Sequence, residues 1–325
     1  MSAPRVSIGL PFLNPGPLLA DALRSVFAQT FPDWELVLVD DGSTDCSTTI
    51  AQSVRDPRVT LHRHSTNRGL PYCLNSIPSL CRGEYIARFD ADDLMHPLRL
   101  ERQVAFLDAH PEVDVVGCGM WTLDTRDRLT GVRGCEPVDL RFPALLRRKL
   151  LLCHPTILAR RSWFLRNPYD DAFGRSADVE LWCRTLSTSS FANLAGPFYF
   201  YRVGRISVLG YFAACGDNHR IYKRYGPRAV GTPKMYYLIG LNYLKGVSYA
   251  AASALGLKDT LMSLLSHRLD ASAKAEAEAV MEAIRSTPVP GFSDAELIPK
   301  RDESSFPSTY AHSPRNTASL QAQAR

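Results

Sequence analysis

The 325-residue sequence lacks an uninterrupted apolar segment long enough to cross a membrane. A transmembrane helix needs about 20 predominantly apolar residues. The longest stretch without a charged residue, Thr185 to Tyr201, is instead rich in Ser, Thr and Asn and contains Pro197. The segment after Met1 enters a strand-like pattern at Val6 without the apolar core of a signal peptide. We therefore expect a cytoplasmic protein.

Glycine-rich nucleotide-binding motifs and paired cysteines are also missing. The chain contains neither the Gly-x-Gly-x-x-Gly fingerprint of dinucleotide-binding folds nor a Gly-Lys-Ser/Thr phosphate loop. Its eight cysteines are scattered without a Cys-x-x-Cys pair, which predicts reduced structural thiols rather than disulfides or a zinc site. NAD-dependent and P-loop enzymes are therefore poor matches to this sequence.

Negative charge is scarce in one part of the chain. The formal net charge is only +5, but residues 141–234 contain sixteen Lys and Arg against five Asp and Glu. The basic runs there are either solvated surface, a contact to a donor diphosphate, or a face that docks peripherally on the inner face of an anionic membrane. No nucleic-acid partner is expected, because the nearby aromatics form a core-strand pattern instead of a nucleic-acid module. The runs are Arg147–Lys149, Arg160–Arg161, and Arg202 with Arg205.

The sequence does contain a regular alternation of strand and helix patterns before Val116. Short apolar runs at Val6–Leu10, Glu35–Val39, Val59–Leu61 and Tyr85–Phe89 predict strands, and helical spacing separates them. This alternation predicts an α/β protein with a Rossmann-like, doubly wound and mostly parallel sheet. Ligands bind such sheets outside the carboxyl ends of the strands.

Three segments directly follow predicted strands and so occupy this ligand-binding edge: Pro11 to Asn14, Asp40–Asp41 and Asp90 to Asp93. Crowded carboxylates at 90, 92 and 93 repel one another unless a cation binds, and oxygen ligands suit Mg²⁺ or Mn²⁺. The alternative is that Asp90 and Asp93 cap the helix that begins near Pro97. The acids after the second strand form either a turn with a helix cap or an acceptor for nucleoside N–H and O–H groups.

Eight short motifs occur in order along residues 5–210. They are Val6 to Asn14, Glu35 to Asp45, Asn67–Gly69, Gly83 to Asp93, His96 to Leu100, His154 to Arg161, Ser176 to Trp182, and Tyr201–Arg202. Each motif is loose by itself, but in this order the sequence resembles the family 2 glycosyltransferases.

The resemblance implies a GT-A fold, a nucleotide-sugar donor, and transfer with inversion of configuration. The residues that it assigns to nucleotide-sugar binding are Pro11, Asn14, Asp41, Asn67 and Asp90. It further implies that Asp92 binds a divalent cation, Mn²⁺ or Mg²⁺, on the donor diphosphate, and that Asp178 is the catalytic base.

The residue types agree with this chemistry at Asp178. An inverting transfer needs a base for the acceptor hydroxyl, and a positioned base contributes about 10²–10⁴-fold. From the residues alone, Asp178 opens a predicted helix, so a helix N-cap is the alternative role. Ser176 and Ala177 precede it, whereas relatives often place Glu before the base.

Composition divides the chain further. We expect a glycosyltransferase domain over 1–210, with a nucleotide-sugar-binding half (1–116) and an acceptor half (117–210) that includes an aromatic strand at Phe198–Val203. Ala- and Leu-rich helical patterns predict a helical C-terminal extension over 211–285. Residues 286–325 carry five prolines and few apolar runs, which predicts a disordered tail.

The expected function is transfer of a sugar to a glycan or lipid-linked hydroxyl acceptor in polysaccharide or lipid-linked glycan assembly. A nucleotidyltransferase that forms a nucleotide sugar is one alternative, because it also uses carboxylate-bound Mg²⁺, although it has no need of Asp178. A non-catalytic sugar-binding relative is the other. A Gln-x-x-Arg-Trp motif is absent, which argues against a processive synthase.

Overall fold

The computed structural model describes residues 3–141, 145–146, 152–203, 207–257 and 270–292 and places nine strands of them in one sheet. The strands are β1 (Val6–Phe12), β2 (Trp34–Asp40), β3 (Val59–Arg63), β4 (Tyr85–Arg88), β5 (Leu94–Met95), β6 (Val115–Leu123), β7 (Leu129–Arg133), β8 (Leu158–Arg160) and β9 (Phe191–Arg202). The helices are α1 (Leu18–Phe27), α2 (Ser47–Ser53), α3 (Leu70–Leu80), α4 (Arg99–Ala109), α5 (Arg161–Arg166), α6 (Ala177–Thr185), α7 (Val208–Val230), α8 (Thr232–Ala254) and α9 (Ala271–Arg285). Within these ranges no helix combines the length and the apolar character that crossing a bilayer requires.

The sheet runs in the order β3-β2-β1-β4-β8-β6-β9-β5, and β7 pairs with β6 beside this path. In the first half, β1 is parallel to both β2 and β4, and β2 is parallel to β3. In the second half the long β6–β9 pairing is also parallel, whereas β8 is antiparallel to both of its neighbours. The predicted mostly parallel α/β sheet is confirmed.

Alternate residues of the central strands pack into two separate cores. Leu36 and Leu38 of β2 lie in one core with residues of α1, whereas Val37 and Val39 lie in the other core with residues of α3. Side chains alternate between the two faces of a strand, so a strand buried on both sides is apolar throughout. This burial explains the unbroken apolar run of β2.

The C-terminal helices add to both halves of the molecule. α7 and α8 form a hairpin in which the rings of Tyr211 and Tyr249 stack with centroids 4.5 Å apart. Ile221 and Leu238 of this hairpin belong to the second core. α9 instead packs Met281 into a third cluster with residues of β5 and β9.

The fold continues past the predicted start of the disordered tail. Val289 is buried, the Arg55 N–H donates a hydrogen bond to the Pro290 carbonyl at 2.7 Å, and the Arg24 guanidinium lies 5.9 Å from the Phe292 ring centroid. Residues 286–292 are therefore part of the packed structure, contrary to the prediction. Residues 293–325, and the basic positions 147–149 and 205, lie outside the described residues.

A buried carboxylate ties β1, β2 and the chain before β4 together. Glu35 Oε1 accepts hydrogen bonds from the Ser7 hydroxyl at 2.6 Å and the Arg82 N–H at 2.7 Å, and the Arg82 guanidinium donates to Oε2 at 2.7 Å. The Gly83 N–H donates to Ser7 Oγ at 2.8 Å. Burial raises the pKa of Glu35, but the hydrogen bonds from Ser7 and Arg82 outweigh this effect and hold it below its ordinary value. The network keeps the parallel strands of the first half in register.

Glu35→Gln is expected to lower the free energy of unfolding by about 1–3 kcal/mol at pH 7, because an amide NH₂ would then face the Arg82 donors. A lowered pKa stabilises the fold above the unfolded-state pKa, and this contribution is lost as pH falls through the folded-state pKa. Urea unfolding should therefore show a difference between wild type and variant that shrinks below about pH 4. The exposed Glu276→Gln is the control, and a Glu35→Gln variant as stable as this control would contradict the assignment.

Candidate functional site

Asn14 joins the loops that follow β1 and β2. Its Oδ1 accepts hydrogen bonds from the Thr44 N–H at 2.7 Å and the Asp45 N–H at 3.3 Å. Its own N–H donates to Ser43 Oγ at 3.0 Å. Asn14 has a left-handed backbone with φ of 52°, a conformation in which Asn is several-fold enriched among non-glycine residues. The residue therefore braces two loops at the carboxyl edge of the sheet.

Asp41 is fully buried and fixes a third loop. Its Oδ2 accepts a hydrogen bond from the Gly69 N–H at 2.8 Å, and its Oδ1 accepts one from the Arg68 N–H at 2.9 Å and lies 3.0 Å from His64 Nδ1. Asn67 Oδ1 also accepts from the Gly69 N–H, at 2.9 Å. The structure thus brings Asp41 and Asn67 together, with protein donors on the Asp41 carboxylate.

An open cleft with a volume of about 100 Å³ lies beside these loops, at the carboxyl ends of β1 and β4. Of the predicted site residues, Pro11, Asp90 and Asp92 line it, whereas Asn14, Asp41 and Asn67 do not. The full lining is Pro11, Phe12, Leu13, Pro15, Leu70, Arg88, Asp90, Ala91, Asp92, Tyr201 and Arg202.

The three carboxylates after β4 differ in their surroundings. Asp93 is buried, and it accepts hydrogen bonds from the Tyr199 hydroxyl at 2.9 Å and the Arg202 N–H at 2.7 Å. Leu98 occupies the N-cap position of α4, so the alternative that Asp90 and Asp93 cap this helix is wrong. Burial and the charge of Asp90 raise the pKa of Asp92 to about 6.

Two buried arginines offset the negative charge of the cleft. Arg88 pairs with Asp90, and its Nε has no hydrogen-bond partner among the described residues. Arg202 donates to the Asp92 carbonyl oxygen at 2.5 Å and pairs with Asp127 at 2.6 Å. Arg202 is thus part of the cleft and not solvated surface. Of the roles that the sequence left open for the basic residues, this position fits a contact to the donor diphosphate.

Two groups of side chains in the described ranges hold metal-ligating atoms within 4.8 Å of one another: Asp41 with His64 and Cys73, and Asp90 with Asp92 and Asp93. In the first group both carboxylate oxygens of Asp41 already accept hydrogen bonds. Burial and the Asp41 charge also raise the pKa of the Cys73 thiol, and only the thiolate ligates metals well. The acidic group, which offers oxygen ligands, is the better candidate for a hard cation.

Asp178 lies in the first turn of α6, and Ser176 occupies the N-cap position. Asp178 is therefore not the N-cap residue. It is not part of the cleft lining, but burial raises its pKa, the charge of Arg88 opposes this shift and the charge of Asp90 adds to it. The charges of Arg88, Asp178 and Asp90 act on Tyr169, which together with Arg88 borders a small second cavity of about 10 Å³. Arg88 thus connects the cleft with the surroundings of Asp178.

Sequence reasoning missed Arg88 as a site residue. It occupies a strand in which Tyr85, Ile86 and Ala87 are buried, and it is itself only 5% exposed. A charge in a buried strand needs a partner, because an unpaired buried charge costs several kcal/mol. That rule is the signal that points to Arg88 in the sequence.

Comparisons with known proteins agree with this geometry. A family model described as Glycosyl transferase family 2 matches residues 7–168. The putative glycosyltransferase EpsE of Bacillus subtilis (strain 168) is 36% identical over 190 residues, which are 56% of this chain and 67% of the relative.

Two solved structures share the fold. S. aureus TarS 1–349 in complex with UDP-GlcNAc aligns with a TM-score of 0.56 and 17% identity over 87% of this chain and 82% of its own. The mannosyltransferase PcManGT from Pyrobaculum calidifontis, in complex with GDP-Man and Mn²⁺, aligns with a TM-score of 0.53 and 18% identity over 87% and 86%. The predicted GT-A type of fold is confirmed.

The fold and the cleft define an α/β protein with an acidic site at the carboxyl ends of parallel strands. The chain belongs to glycosyltransferase family 2. Glycosyl transfer, and not nucleotidyl transfer, is therefore the chemistry of its family.

Asp41→Asn is expected to release the loop that holds Asn67, because an amide NH₂ replaces one of the oxygens that accept the Arg68 and Gly69 N–H groups. Hydrogen exchange should show loss of protection at these two amides, and the free energy of unfolding should fall by about 1–3 kcal/mol. Asp45→Asn, in the exposed part of the preceding loop, is the control. Unchanged exchange at Arg68 and Gly69 would show that Asp41 does not hold the loop.

Proposed function

We propose that the protein is an inverting glycosyltransferase that moves one sugar from a nucleotide-sugar donor to a hydroxyl acceptor. One observation carries the proposal: the buried Arg88 pairs with Asp90 of the cleft and also acts on the carboxylate of Asp178. A shared counter-charge for Asp90 and Asp178 supports a donor site and a base that belong to one active site. Family membership supports the same reaction class.

The donor nucleotide is proposed to bind the cleft and the loops beside it. The candidate contacts are Pro11, Asn14, Asp41, Asn67 and Asp90. A carboxylate offers about four lone-pair sites, so Asp41 keeps capacity for one nucleoside donor group beside its three protein contacts. The fold neighbours carry UDP-GlcNAc and GDP-Man, which supports a nucleotide-sugar donor without deciding its base or its sugar.

Asp92, with Asp90 beside it, fits a divalent cation. Burial and then the Asp90 charge raise the pKa of Asp92, Arg202 and Arg88 only partly oppose this, and a bound cation would favour the ionised carboxylate. Mg²⁺ sites commonly use one or two carboxylates and leave the other positions to substrate phosphates, and Mn²⁺ also prefers oxygen ligands. Such a cation supplies charge neutralisation for a departing diphosphate. One fold neighbour contains Mn²⁺, which supports this choice.

Asp178 is proposed as the catalytic base. Its carboxylate takes the proton of the acceptor hydroxyl while that oxygen bonds to the anomeric carbon, and the bond to the diphosphate breaks on the opposite face. This single displacement inverts the configuration. Burial raises the pKa of Asp178 and so makes it a stronger base, whereas the Arg88 charge favours its ionised form.

The acceptor is proposed to be a glycan or a lipid-linked glycan, in polysaccharide or lipid-linked glycan assembly. The excess of positive charge in residues 141–234 supports an acceptor or a surface that carries negative charge.

Asp178→Asn is expected to lower the transfer rate by about 10²–10⁴-fold, because the amide does not take up the acceptor proton. Nucleotide-sugar binding, measured by calorimetry, should be retained, since Asp178 does not line the cleft. In the wild type, kcat/KM should fall with decreasing pH through a pKa above 3.8, the ordinary value for Asp, because the base must be deprotonated.

Asp33→Asn, an exposed change away from the site, is the control for Asp178→Asn. A variant that binds the nucleotide sugar but transfers it at the wild-type rate would show that Asp178 is not the base. A wild-type protein that binds donors but transfers to none of a panel of glycan acceptors would support a non-catalytic relative.

Asp92→Asn is expected to abolish the Mn²⁺-dependent rise in melting temperature that a nucleotide sugar produces, because the amide is a weaker ligand for a hard cation. The measurement is a thermal-shift panel of UDP, GDP, CMP and dTDP sugars with and without Mn²⁺. Asp33→Asn, an exposed change away from the site, serves as the control. Equal metal-dependent shifts in Asp92→Asn and the control would exclude Asp92 as a metal ligand.

A further inference from the structure

The solvent-facing side of α8 is apolar and aromatic. Tyr236, Tyr237, Leu244 and Val247 are between 57% and 66% exposed, and Tyr243 is 37% exposed. At 3.6 residues per turn these positions fall within about a third of the helix circumference. We define these five residues as the α8 outer face. Isolated exposed apolar side chains are ordinary, but a contiguous set marks an interaction surface.

The opposite side of α8 is apolar as well. Met235, Leu238 and Ile239 are buried in the second core with residues of α6 and α7. A helix that is apolar on all sides is normally covered completely, by protein or by lipid. α8 is covered on one side only within the described residues, so its outer face lacks a partner there.

The apolar surface continues past the end of α8. Leu255 and Leu257 are 72% and 53% exposed, and Leu209 at the start of α7 is 84% exposed. The stacking of Tyr211 on Tyr249 shows that the start of α7 and the end of α8 lie at the same end of the hairpin. The exposed leucines therefore lie at the end of the hairpin where α8 ends.

Positive charge flanks the α8 outer face. Lys234 and Lys245 are exposed at one edge of it, and α8 contains no Asp or Glu. On the other edge, His219 Nδ1 lies 3.2 Å from the Tyr243 hydroxyl, and Lys223 follows His219 by one helical turn on α7. No ion pair to these three lysines occurs among the described residues, whereas the neighbouring Arg220 pairs with Asp217.

We propose that the α8 outer face binds the surface of an anionic lipid bilayer, with the helix lying in the plane of the interface. Tyr side chains suit the boundary between the headgroups and the acyl chains, because the ring is apolar and the hydroxyl remains hydrated. Lysines bury their stems and keep the ammonium group at the headgroups, and each is worth about 1 kcal/mol near an anionic surface.

A second copy of the chain fits this surface less well. A twofold dimer places the same patch on both subunits, so the lysine-bearing edges of one copy would face those of the other. Like charges across an interface disfavour association. An anionic bilayer can bury the apolar side chains and also pair its headgroups with the lysines at the edges.

The test is co-sedimentation of the full chain with phosphatidylcholine vesicles and with vesicles that also contain phosphatidylglycerol. We expect binding to the anionic vesicles, at least tenfold weaker binding to phosphatidylcholine alone, and loss of binding in 0.5 M salt. The combined variant Tyr236→Ser, Leu244→Ser, Val247→Ser should bind at least tenfold more weakly. Lys223→Gln, Lys234→Gln, Lys245→Gln should weaken binding to anionic vesicles by a similar factor.

Leu165→Ser, which alters an exposed leucine on α5 away from the α8 outer face, is the control and should bind as the wild type does. The serine variant should keep the wild-type melting temperature and its shift with nucleotide sugar, which separates this proposal from the proposed transferase activity. Binding that is equal on both vesicle types, or unchanged in the serine variant, would overturn the proposal. A dimer in sedimentation equilibrium that the serine variant dissociates, without vesicle binding by the wild type, would also overturn it.

Discussion

The site depends on one physical constraint, the pairing of buried negative charge with buried positive charge. Burial raises the pKa of Asp92 and of Asp178, and nearby cations oppose this shift by favouring the ionised forms. The guanidinium of Arg88, at the end of β4, pairs with Asp90 and acts on the other two carboxylates. Without this arginine, the acids of the cleft and the acid of α6 would lose a common counter-charge.

The same constraint distinguishes acidic residues whose carboxylates are stabilised by the protein from acidic residues whose carboxylates a ligand can stabilise. Glu35 and Asp93 are satisfied by N–H and O–H donors from distant parts of the chain, which makes them parts of the structure. Asp41 is an intermediate case, since it holds a loop and keeps limited capacity to accept further hydrogen bonds. Asp92 has a raised pKa and faces the cleft, so its charge is the one that a ligand can stabilise.

Much of the fold could be predicted because three of its first four strands, β1, β2 and β4, are buried on both faces. The apolar runs at β1, β2 and β4 reflect two cores that both need apolar residues, and the acids that follow them mark the carboxyl edge. β9 was predicted as Phe198–Val203 but spans Phe191–Arg202, since its first half contains Asn193 and Gly196, which have low strand propensity, and gains its pairing from β6.

The remainder of the site depends on contacts between distant residues, which local patterns do not reveal. Arg202 meets Asp127 and the carbonyl of Asp92, 75 and 110 positions away in the sequence. In the sequence, Arg202 is an arginine that follows an aromatic run, and this local pattern does not indicate whether its side chain lies in the cleft or in solvent. Arg88 is the exception, because a lone charge within a buried strand already implies a buried counter-ion.

The charge distribution along the sequence also acquires a structural explanation. Part of the positive charge of residues 141–234 lies inside the cleft as Arg202, and part lies on the surface of the α7–α8 hairpin. α6 connects the two regions: Asp178 lies in its first turn, and Glu180 accepts a hydrogen bond from the Tyr225 hydroxyl of α7 at 2.6 Å. One helix, α6, therefore carries the residue that we propose as the base and also contacts the hairpin that carries the α8 outer face.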